Sequence, residues 1–207
     1  MAVDYSLYLI ADAEFAAGRD LLPIIEAAVK GGVTAVQIRA KDLPFREFLE
    51  LGRRAADLLQ KRRVPLLIND RVDIALACAA TGVHLGQDDM PLALARKILG
   101  GKTIMGISVN TEEEALEAER RGADYIGLGP IYATSTKATD LPLVGPEGIR
   151  NLKSRVRIPL IAIGGITVLN ARAVKEAGAD GIAVISAILG APDPEAAARQ
   201  LKKVFRA

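Results

Sequence analysis

Short apolar segments alternate with longer amphipathic segments along the whole chain. This alternation predicts repeated strand-helix units and a parallel sheet, because strands covered on both faces appear as continuous apolar runs. We expect the strands at Ser6–Ile10, Thr34–Arg39, Pro65–Asn69, Val83–Gly86, Thr103–Ser108, Tyr125–Gly129, Pro159–Gly164 and Gly181–Ser186. Eight parallel strands are the number that closes a small barrel.

A weak internal repeat supports the closed arrangement. Gly32, Gly82, Gly122 and Gly178 each follow a helical segment and precede a strand, and we expect each to end its helix in the left-handed conformation. An open, doubly wound sheet would need a G-x-G-x-x-G turn to carry nucleotide function, and the sequence has none. The sequence therefore predicts an α/β fold, a single (β/α)8 TIM barrel with short helices and loops, in which residues 1–207 form one catalytic domain.

The charge balance gives no indication of a nucleic acid partner. The chain has 27 Lys and Arg against 25 Asp and Glu, a net charge of +2, and the basic residues are scattered. The densest basic run, Lys61 to Arg63, falls where a helix should end, and cations are favoured there by the helix dipole. We expect small-molecule partners rather than nucleic acid.

The single cysteine, Cys78, excludes an intrachain disulfide or a cysteine metal cluster and fits a reduced, cytoplasmic setting. No segment approaches the ~18 uncharged apolar residues of a membrane helix, so we expect no membrane partner. The sequence leaves the oligomeric state open, and a homo-oligomer is compatible with it.

Polar side chains stand where the second strand ends. The two-residue period of a strand sends Gln37 and Arg39 to one face and Val36 and Ile38 to the other. The apolar pair should face the helices, so the polar pair should point inward near the mouth of the barrel, where the active sites of this fold lie. A purely structural ion pair is the alternative for Arg39.

Two aspartates follow the third and fourth strands. Neighbouring strands are only ~4.8 Å apart, so Asp70 and Asp89 can converge on one point. Two carboxylates suit Mg²⁺ bridged to phosphate oxygens. Helix capping by Asp70 and Asp88 is an equally good explanation from the sequence alone.

Two further segments indicate phosphate binding. The loop after the sixth strand is rich in hydroxyl groups and carries one lysine between residues 134 and 139, a composition that suits a closing lid, although a solvated loop is the alternative. The seventh and eighth strands end near Gly165 and Ser186, where barrels often bind phosphate through backbone N–H groups.

The other residues that could take part in catalysis favour a reaction without a strong base. His84 is the only histidine and lies within the fourth strand, so no Ser-His or Cys-His pair can be built without it. A lone strand histidine is usually structural. Charge neutralisation and positioning of two phosphorylated ligands fit these residues best.

These motifs together resemble the thiamine phosphate synthase family over essentially the whole chain. The matching segments are Val36–Asp42, Leu67–Asp73, Gly82–Asp89, Gly129–Tyr132, Thr134–Lys137 and Ala162–Ile166. The resemblance implies that the pyrimidine diphosphate is bound by Gln37, Arg39, Lys41, Asn69, Ser108 and Lys137. It implies that the thiazole phosphate is bound by Thr134, Ser135, Thr136, Gly165, Ile185 and Ser186. It also implies that Asp70 and Asp89 hold Mg²⁺.

The reaction implied by the resemblance is loss of diphosphate from the pyrimidine, followed by attack of the thiazole nitrogen on the resulting cation. Arg39, Lys41, Ser108 and Lys137 are the implied catalytic residues. Two positions depart from the family pattern, because Ala40 stands where relatives usually carry glutamate and Asn110 where they usually carry histidine.

Three alternatives to a synthase remain. A related thiazole tautomerase would be expected to use a histidine at the position of Asn110 for proton transfer. A sugar-phosphate isomerase or epimerase would share the phosphate site of the last two strands but would not require Asp70 and Asp89. A barrel that binds ligands without catalysis is the third, and release of diphosphate would separate it from an enzyme.

Overall fold

A computed structural model describes residues 3–134, 136 and 141–206. The strands are β1 Leu7–Asp12, β2 Ala35–Arg39, β3 Leu66–Asn69, β4 Gly82–Leu85, β5 Ile104–Val109, β6 Tyr125–Leu128, β7 Leu160–Ile163 and β8 Gly181–Val184. They form a closed parallel barrel in sequence order, with β8 paired to β1. Each predicted strand is therefore confirmed, with its ends shifted by no more than two residues.

Helices connect successive strands around the outside. They are α1 Ala13–Ala16, α2 Leu21–Lys30, α3 Phe45–Arg62, α4 Val72–Ala77, α5 Leu92–Leu99, α6 Glu112–Arg120, α7 Gly145–Lys153, α8 Ala171–Glu176, α9 Ser186–Leu189 and α10 Pro194–Arg206. Several are short, such as the six-residue α4 and α8, whereas α3 has 18 residues. The helix α3 ends at Arg62, which confirms the position predicted from the basic run.

The strand period of two divides the apolar residues into two layers. Val36 and Ile38 point outward and pack with α3 residues such as Phe48 in the layer between strands and helices. Inside the barrel lies a second cluster of buried residues: Tyr5, Tyr8, Ile10, Ala35, Leu67, Tyr125, Ile161 and Ala183. Two polar side chains, Gln37 and His84, are buried among the strands as well.

The glycine repeat is explained only in part by helix ends. Gly32, Gly122 and Gly178 have positive φ as expected. The expectation is wrong for Gly82, because Ala79 takes the left-handed conformation after α4 instead, with φ of 52°. A Cβ atom at Gly82 would lie 2.5 Å from the carbonyl oxygen of Ile104, so this glycine permits close approach of β5.

A second glycine makes room for an interior aromatic ring. A Cβ atom at Gly106 on β5 would lie 2.0 Å from Cζ of Tyr125 on β6. The absence of a side chain at position 106 is therefore what allows the Tyr125 ring to lie across the barrel interior.

Among the helices that the structure describes, none combines the length and the apolar composition that crossing a membrane requires.

Candidate active site

A cavity of about 490 Å³ opens at the carboxyl ends of the strands. Its lining includes these predicted site residues: Arg39, Lys41, Asn69, Asp70, Asp89, Ser108, Thr134, Thr136, Gly165, Ile185 and Ser186. Gln37 lies lower in the barrel, where its side chain is buried. Ser135 and Lys137 lie outside the described residues. Apart from these three, the structure brings the predicted residues together around one space.

Arg39 is held by two carboxylates that the sequence reasoning did not identify. Its Nη1 atom lies 2.6 Å from Asp12 Oδ2 and 3.1 Å from Glu14 Oε2. Asp12 is buried and also accepts a hydrogen bond from the backbone N–H of Phe15 at the start of α1. Glu14 accepts one from the N–H of Asp42. Arg39 thus has a structural ion pair and still lines the cavity, so the two interpretations of this residue coexist.

Asp70 and Asp89 lie close together at the ends of β3 and β4. Lys41 Nζ is 3.2 Å from Asp70 Oδ2, and Asp89 Oδ2 accepts a 2.6 Å hydrogen bond from the N–H of Gly86. Burial raises the pKa of Asp89, and the neighbouring Asp70 carboxylate raises it further. The pair is therefore a concentration of negative charge beside the cavity.

Helix capping does not account for these aspartates. The residue preceding α4 is Arg71 and that preceding α5 is Pro91, and neither helix start has a side-chain cap. Asp70 itself has φ of 60°, an uncommon left-handed conformation for an aspartate. The capping explanation is wrong for Asp70 and Asp88.

The donor set fits Mg²⁺ bound together with a phosphate ligand. Among the residues that the structure describes, no three His, Cys, Asp or Glu side chains form a metal cage. Mg²⁺ is commonly bound by one or two carboxylates with phosphate oxygens and water completing its coordination. Asp70 and Asp89 supply two carboxylates, and a cation there would offset the repulsion from Asp70 that, together with the larger effect of burial, raises the Asp89 pKa.

The opposite side of the cavity is built from backbone and hydroxyl groups. Thr136 Oγ1 donates to Ser186 Oγ at 3.3 Å, which joins the loop after β6 to the residue that begins α9. Gly165 has φ of 62°, and its carbonyl accepts a hydrogen bond from Asn170 Nδ2. Asn170, which the sequence reasoning missed, therefore fixes the turn after β7.

Gly165 is also constrained by the protein itself. A Cβ atom there would lie 2.4 Å from the carbonyl oxygen of Ala133 and 2.8 Å from Cβ of Tyr132. A side chain at 165 would also stand where the backbone has to approach a phosphate. The structure adds a clash with the start of the β6–α7 loop, so a substitution there would disturb the loop as well.

A continuous chain of hydrogen bonds crosses the barrel interior below the cavity. Gln37 Nε2 donates to the Tyr8 hydroxyl at 3.0 Å, and this hydroxyl is 2.9 Å from that of Tyr125. The Tyr125 hydroxyl is 2.8 Å from Nδ1 of His84, whose Nε2 is 2.9 Å from Ser108 Oγ. We name these five residues the interior chain. The histidine interpreted as structural therefore contacts a predicted site residue.

The two phenols of the interior chain stay protonated over a wide pH range. Burial raises the pKa of Tyr8 above its ordinary value and that of Tyr125 well above it. Both hydroxyls can therefore act as hydrogen-bond donors. Alternation along β4 sends Val83 and Leu85 outward and His84 inward, which is the sequence signal that could have located this histidine.

Asn110 has a structural role at the cavity rim. Its Nδ2 atom donates to the carbonyl of Gly129 at 2.9 Å, and the carbonyl of Pro142 lies at 3.4 Å. Its backbone N–H donates to Glu114 Oε2. The amide thereby connects the end of β5 with both ends of the loop after β6.

Comparisons with known proteins agree with one another. A family model described as thiamine monophosphate synthase matches residues 7–188. A thiamine-phosphate synthase from Syntrophomonas wolfei is 52% identical over 202 residues, covering 98% of this chain and 97% of the relative. One from Chloroflexus aurantiacus is 50% identical over 200 residues, covering 97% and 92%. A solved thiamine phosphate pyrophosphorylase from Pyrococcus furiosus has a TM-score of 0.91 and 41% identity, with 99% of this chain and 97% of that one covered.

Proposed function

The chain belongs to the thiamine monophosphate synthase family, and from this membership we propose how its cavity divides between two substrates. It is a transferase of thiamine biosynthesis. The reaction joins a pyrimidine carrying a diphosphate to a thiazole carrying a phosphate, and it yields thiamine phosphate and diphosphate. Both substrates are therefore anions.

The pyrimidine diphosphate occupies the side of the cavity formed by β2 to β5. Arg39 and Lys41 face the diphosphate, and Asn69 and Ser108 contact the pyrimidine end. What supports this is the pairing of the Lys41 ammonium group with the Asp70 carboxylate and the fixed position of Arg39 against Asp12. Gln37 contributes from below, through Tyr8 of the interior chain.

In this proposal Asp70 and Asp89 would hold Mg²⁺, which would supply positive charge beside the diphosphate. Lys41 is the residue of the chain whose contact with Asp70 would change. Its ammonium group, now paired with Asp70, is half exposed and free to turn to a diphosphate oxygen. The chain's own carboxylates and ammonium group thus form a site that a diphosphate completes.

The thiazole phosphate occupies the side formed by β6 to β8. Thr134, Ser135, Thr136, Gly165, Ile185 and Ser186 are the residues proposed to bind it. The hydrogen bond between Thr136 and Ser186 supports this grouping, because it brings hydroxyl donors from two elements to one point. Backbone N–H groups at Gly165 and Ser186 suit a phosphate at the ends of the last two strands.

The chemistry requires neutralisation of charge and no general base. Diphosphate departs from the methylene carbon, and the electron-rich aminopyrimidine stabilises the cation that remains. The thiazole nitrogen that attacks carries no proton. Arg39, Lys41 and Lys137 act by stabilising negative charge on the leaving diphosphate, and Ser108 holds the pyrimidine ring.

One observation carries this proposal: a single cavity has a cation-and-carboxylate side at Arg39, Lys41, Asp70 and Asp89 and a hydroxyl-and-glycine side at Thr136, Gly165 and Ser186. A sugar-phosphate isomerase would need only the second side. The test is release of diphosphate when the purified protein meets both substrates with Mg²⁺. Release that requires both substrates supports the proposal, whereas turnover of a sugar phosphate without diphosphate release overturns it.

Two broader predictions accompany the proposal. The whole chain acts as one catalytic domain, and its setting is cytoplasmic; a homo-oligomer is compatible with both. The single cysteine, Cys78, is buried and has no second cysteine in the chain to pair with, which supports a reduced setting.

A further inference from the structure

The interior chain has a definite direction at its lower end. The nitrogen of a primary amide donates hydrogen bonds and does not accept them, so Gln37 Nε2 makes the Tyr8 oxygen an acceptor. The hydrogen of the Tyr8 hydroxyl is then available to the Tyr125 oxygen, 2.9 Å away. Tyr8 therefore accepts from Gln37 and donates to Tyr125.

The same direction fixes the proton of His84. The Tyr125 oxygen accepts from Tyr8, and its own buried hydrogen needs an acceptor, for which His84 Nδ1 lies within reach at 2.8 Å. A neutral imidazole has one accepting and one donating nitrogen. The Nε2 atom of His84 consequently carries the proton and donates to Ser108 Oγ at 2.9 Å.

At its upper end the interior chain determines whether the Ser108 hydroxyl donates or accepts toward the cavity. Its oxygen accepts from His84, which leaves the hydroxyl hydrogen for the cavity that Ser108 lines. We propose that Tyr8, Tyr125 and His84 are positioning residues that fix Ser108 as a hydrogen-bond donor to an acceptor nitrogen of the pyrimidine ring. This inference rests on the proposed function, because it requires the pyrimidine beside Ser108.

Burial makes it costly to reverse the direction of the hydrogen bonds in the interior chain. The side chains of Tyr8 and Tyr125 are inside the barrel, with 1% and 0% of their surface exposed. A broken link there leaves a polar group without a partner in a medium of low dielectric constant, where such groups are expensive. The Tyr125 ring lies directly against the backbone of Gly106, in the space that this glycine leaves open.

Nitrogen NMR of isotopically labelled histidine tests the direction without any mutation. His84 is the only histidine, so the spectrum reports this one ring. The expected result is the tautomer with the proton on Nε2 and a hydrogen bond accepted at Nδ1. The opposite direction would have Nδ1 donate to Tyr125 and Nε2 accept from Ser108. Observation of the Nδ1–H tautomer would overturn the inference.

A matched pair of variants tests the consequence for binding. Tyr125→Phe removes one hydroxyl from the interior chain and keeps the ring. Tyr5→Phe is the control, since the Tyr5 ring lies 4.7 Å from that of Tyr125 but its hydroxyl is not part of the interior chain. We expect Tyr125→Phe to weaken pyrimidine diphosphate binding about 10- to 100-fold. Binding of inorganic diphosphate should be unchanged in both variants, and the Tyr5 variant should match the wild type throughout.

Further outcomes separate this inference from the proposed function. Suppose that Ser108→Ala weakens pyrimidine diphosphate binding but Tyr125→Phe leaves it unchanged. This result would overturn the inference and leave the proposed site intact. Unchanged binding by Ser108→Ala would overturn the inference together with the proposed placement of the pyrimidine beside Ser108, whereas diphosphate release would still decide the proposed function. If Tyr125→Phe fails to fold, Tyr8→Phe breaks the neighbouring link, and its histidine spectrum should lose the single Nε2–H tautomer. A Tyr8 variant with an unaltered spectrum and unaltered binding would count against the inference.

Discussion

Arg39 Nη1 lies 2.6 Å from Oδ2 of Asp12, its register partner on the neighbouring strand. Asp12 has 3% of its surface exposed, and its carboxylate is held in turn by the N–H of Phe15. The guanidinium group is therefore fixed before any ligand arrives. This order of events matters because a preorganised cation needs no rearrangement when charge develops on a leaving group.

The first prediction concerns this pair. Asp12→Asn removes the charge that holds Arg39 and leaves its guanidinium less well placed. We expect the free energy of unfolding to fall by about 1 to 3 kcal/mol. This loss is smaller than for a fully buried ion pair, because Arg39 is partly exposed. Pyrimidine diphosphate binding should weaken as well. Urea denaturation and binding titration measure the two effects.

The control for that prediction is Glu14→Gln. Glu14 also contacts Arg39, at 3.1 Å, but its side chain is 29% exposed, so its removal should change stability less. Equal stability losses in the two variants would show that the burial of Asp12 has no special importance.

The second prediction tests the metal site. Asp89→Ala should abolish the Mg²⁺-dependent activity while the fold is retained, because one of two proposed carboxylate ligands is lost. Asp88→Ala is the matched control, an exposed carboxylate one position away. The measurement is diphosphate release across a Mg²⁺ titration, with circular dichroism as the check on folding. Full activity of the Asp89 variant at limiting Mg²⁺ would exclude the assignment.

The third prediction concerns the thiazole phosphate. Ser186→Ala removes a hydroxyl that lines the cavity and accepts from Thr136. We expect weaker thiazole phosphate binding, by about 5- to 20-fold for one lost hydrogen bond to a charged group, with unchanged binding of the pyrimidine diphosphate. Gly165→Val should also weaken thiazole phosphate binding, but its clash with Ala133 makes it a less specific probe. Parallel losses for both substrates in the Ser186 variant would argue for general disruption of the mouth.

The fourth prediction concerns Lys137, which lies outside the described residues. If its ammonium group stabilises the departing diphosphate, Lys137→Ala should lower kcat more than it weakens substrate binding. Loss of one preorganised donor typically costs about 2.7 to 4 kcal/mol, or about 100- to 1,000-fold in rate. The rate is measured at saturating substrates, and hydrogen exchange of the loop is followed with and without ligands. A wild-type rate together with unaltered loop protection would remove Lys137 from the catalytic set.

The fifth prediction uses the buried tyrosines. Their pKa values are raised in the folded state by burial, from an ordinary value of 10.0. The unfolded chain therefore loses phenolic protons first as the pH rises, and the folded state retains them. The stabilisation is complete below pH 10 and is lost progressively above it. Denaturant midpoints between neutral and strongly alkaline pH should fall accordingly, and less steeply in Tyr125→Phe.

Much of the fold could be predicted because local periodicity dictates it. The alternation of Val36, Gln37 and Ile38 places each side chain on the correct side of β2, and the eight apolar runs determine the barrel. Gly82 shows the limit of such reasoning. Its helix-ending role is taken by Ala79, and its true constraint is the carbonyl of Ile104 on another strand, which no local pattern contains.

The sequence predicted many of the residues that line the cavity, but not the connections between them. Asp70 and Asp89 could be expected to meet because their strands are adjacent. Asp12 was missed since its importance depends on the register between β1 and β2. The interior chain was missed because it joins side chains from five strands, and a lone strand histidine gives no sign of its partners.

The space left by Gly106 for the Tyr125 ring has a consequence for engineering this barrel. A single added methyl group at position 106 would collide with an aromatic ring deep below the mouth, since protein interiors are as densely packed as crystals. Redesign of the enzyme toward other heterocycles is therefore constrained from beneath the pocket as well as around its rim. A library that randomises rim residues should keep position 106 as glycine, and one that varies it should vary position 125 in the same step.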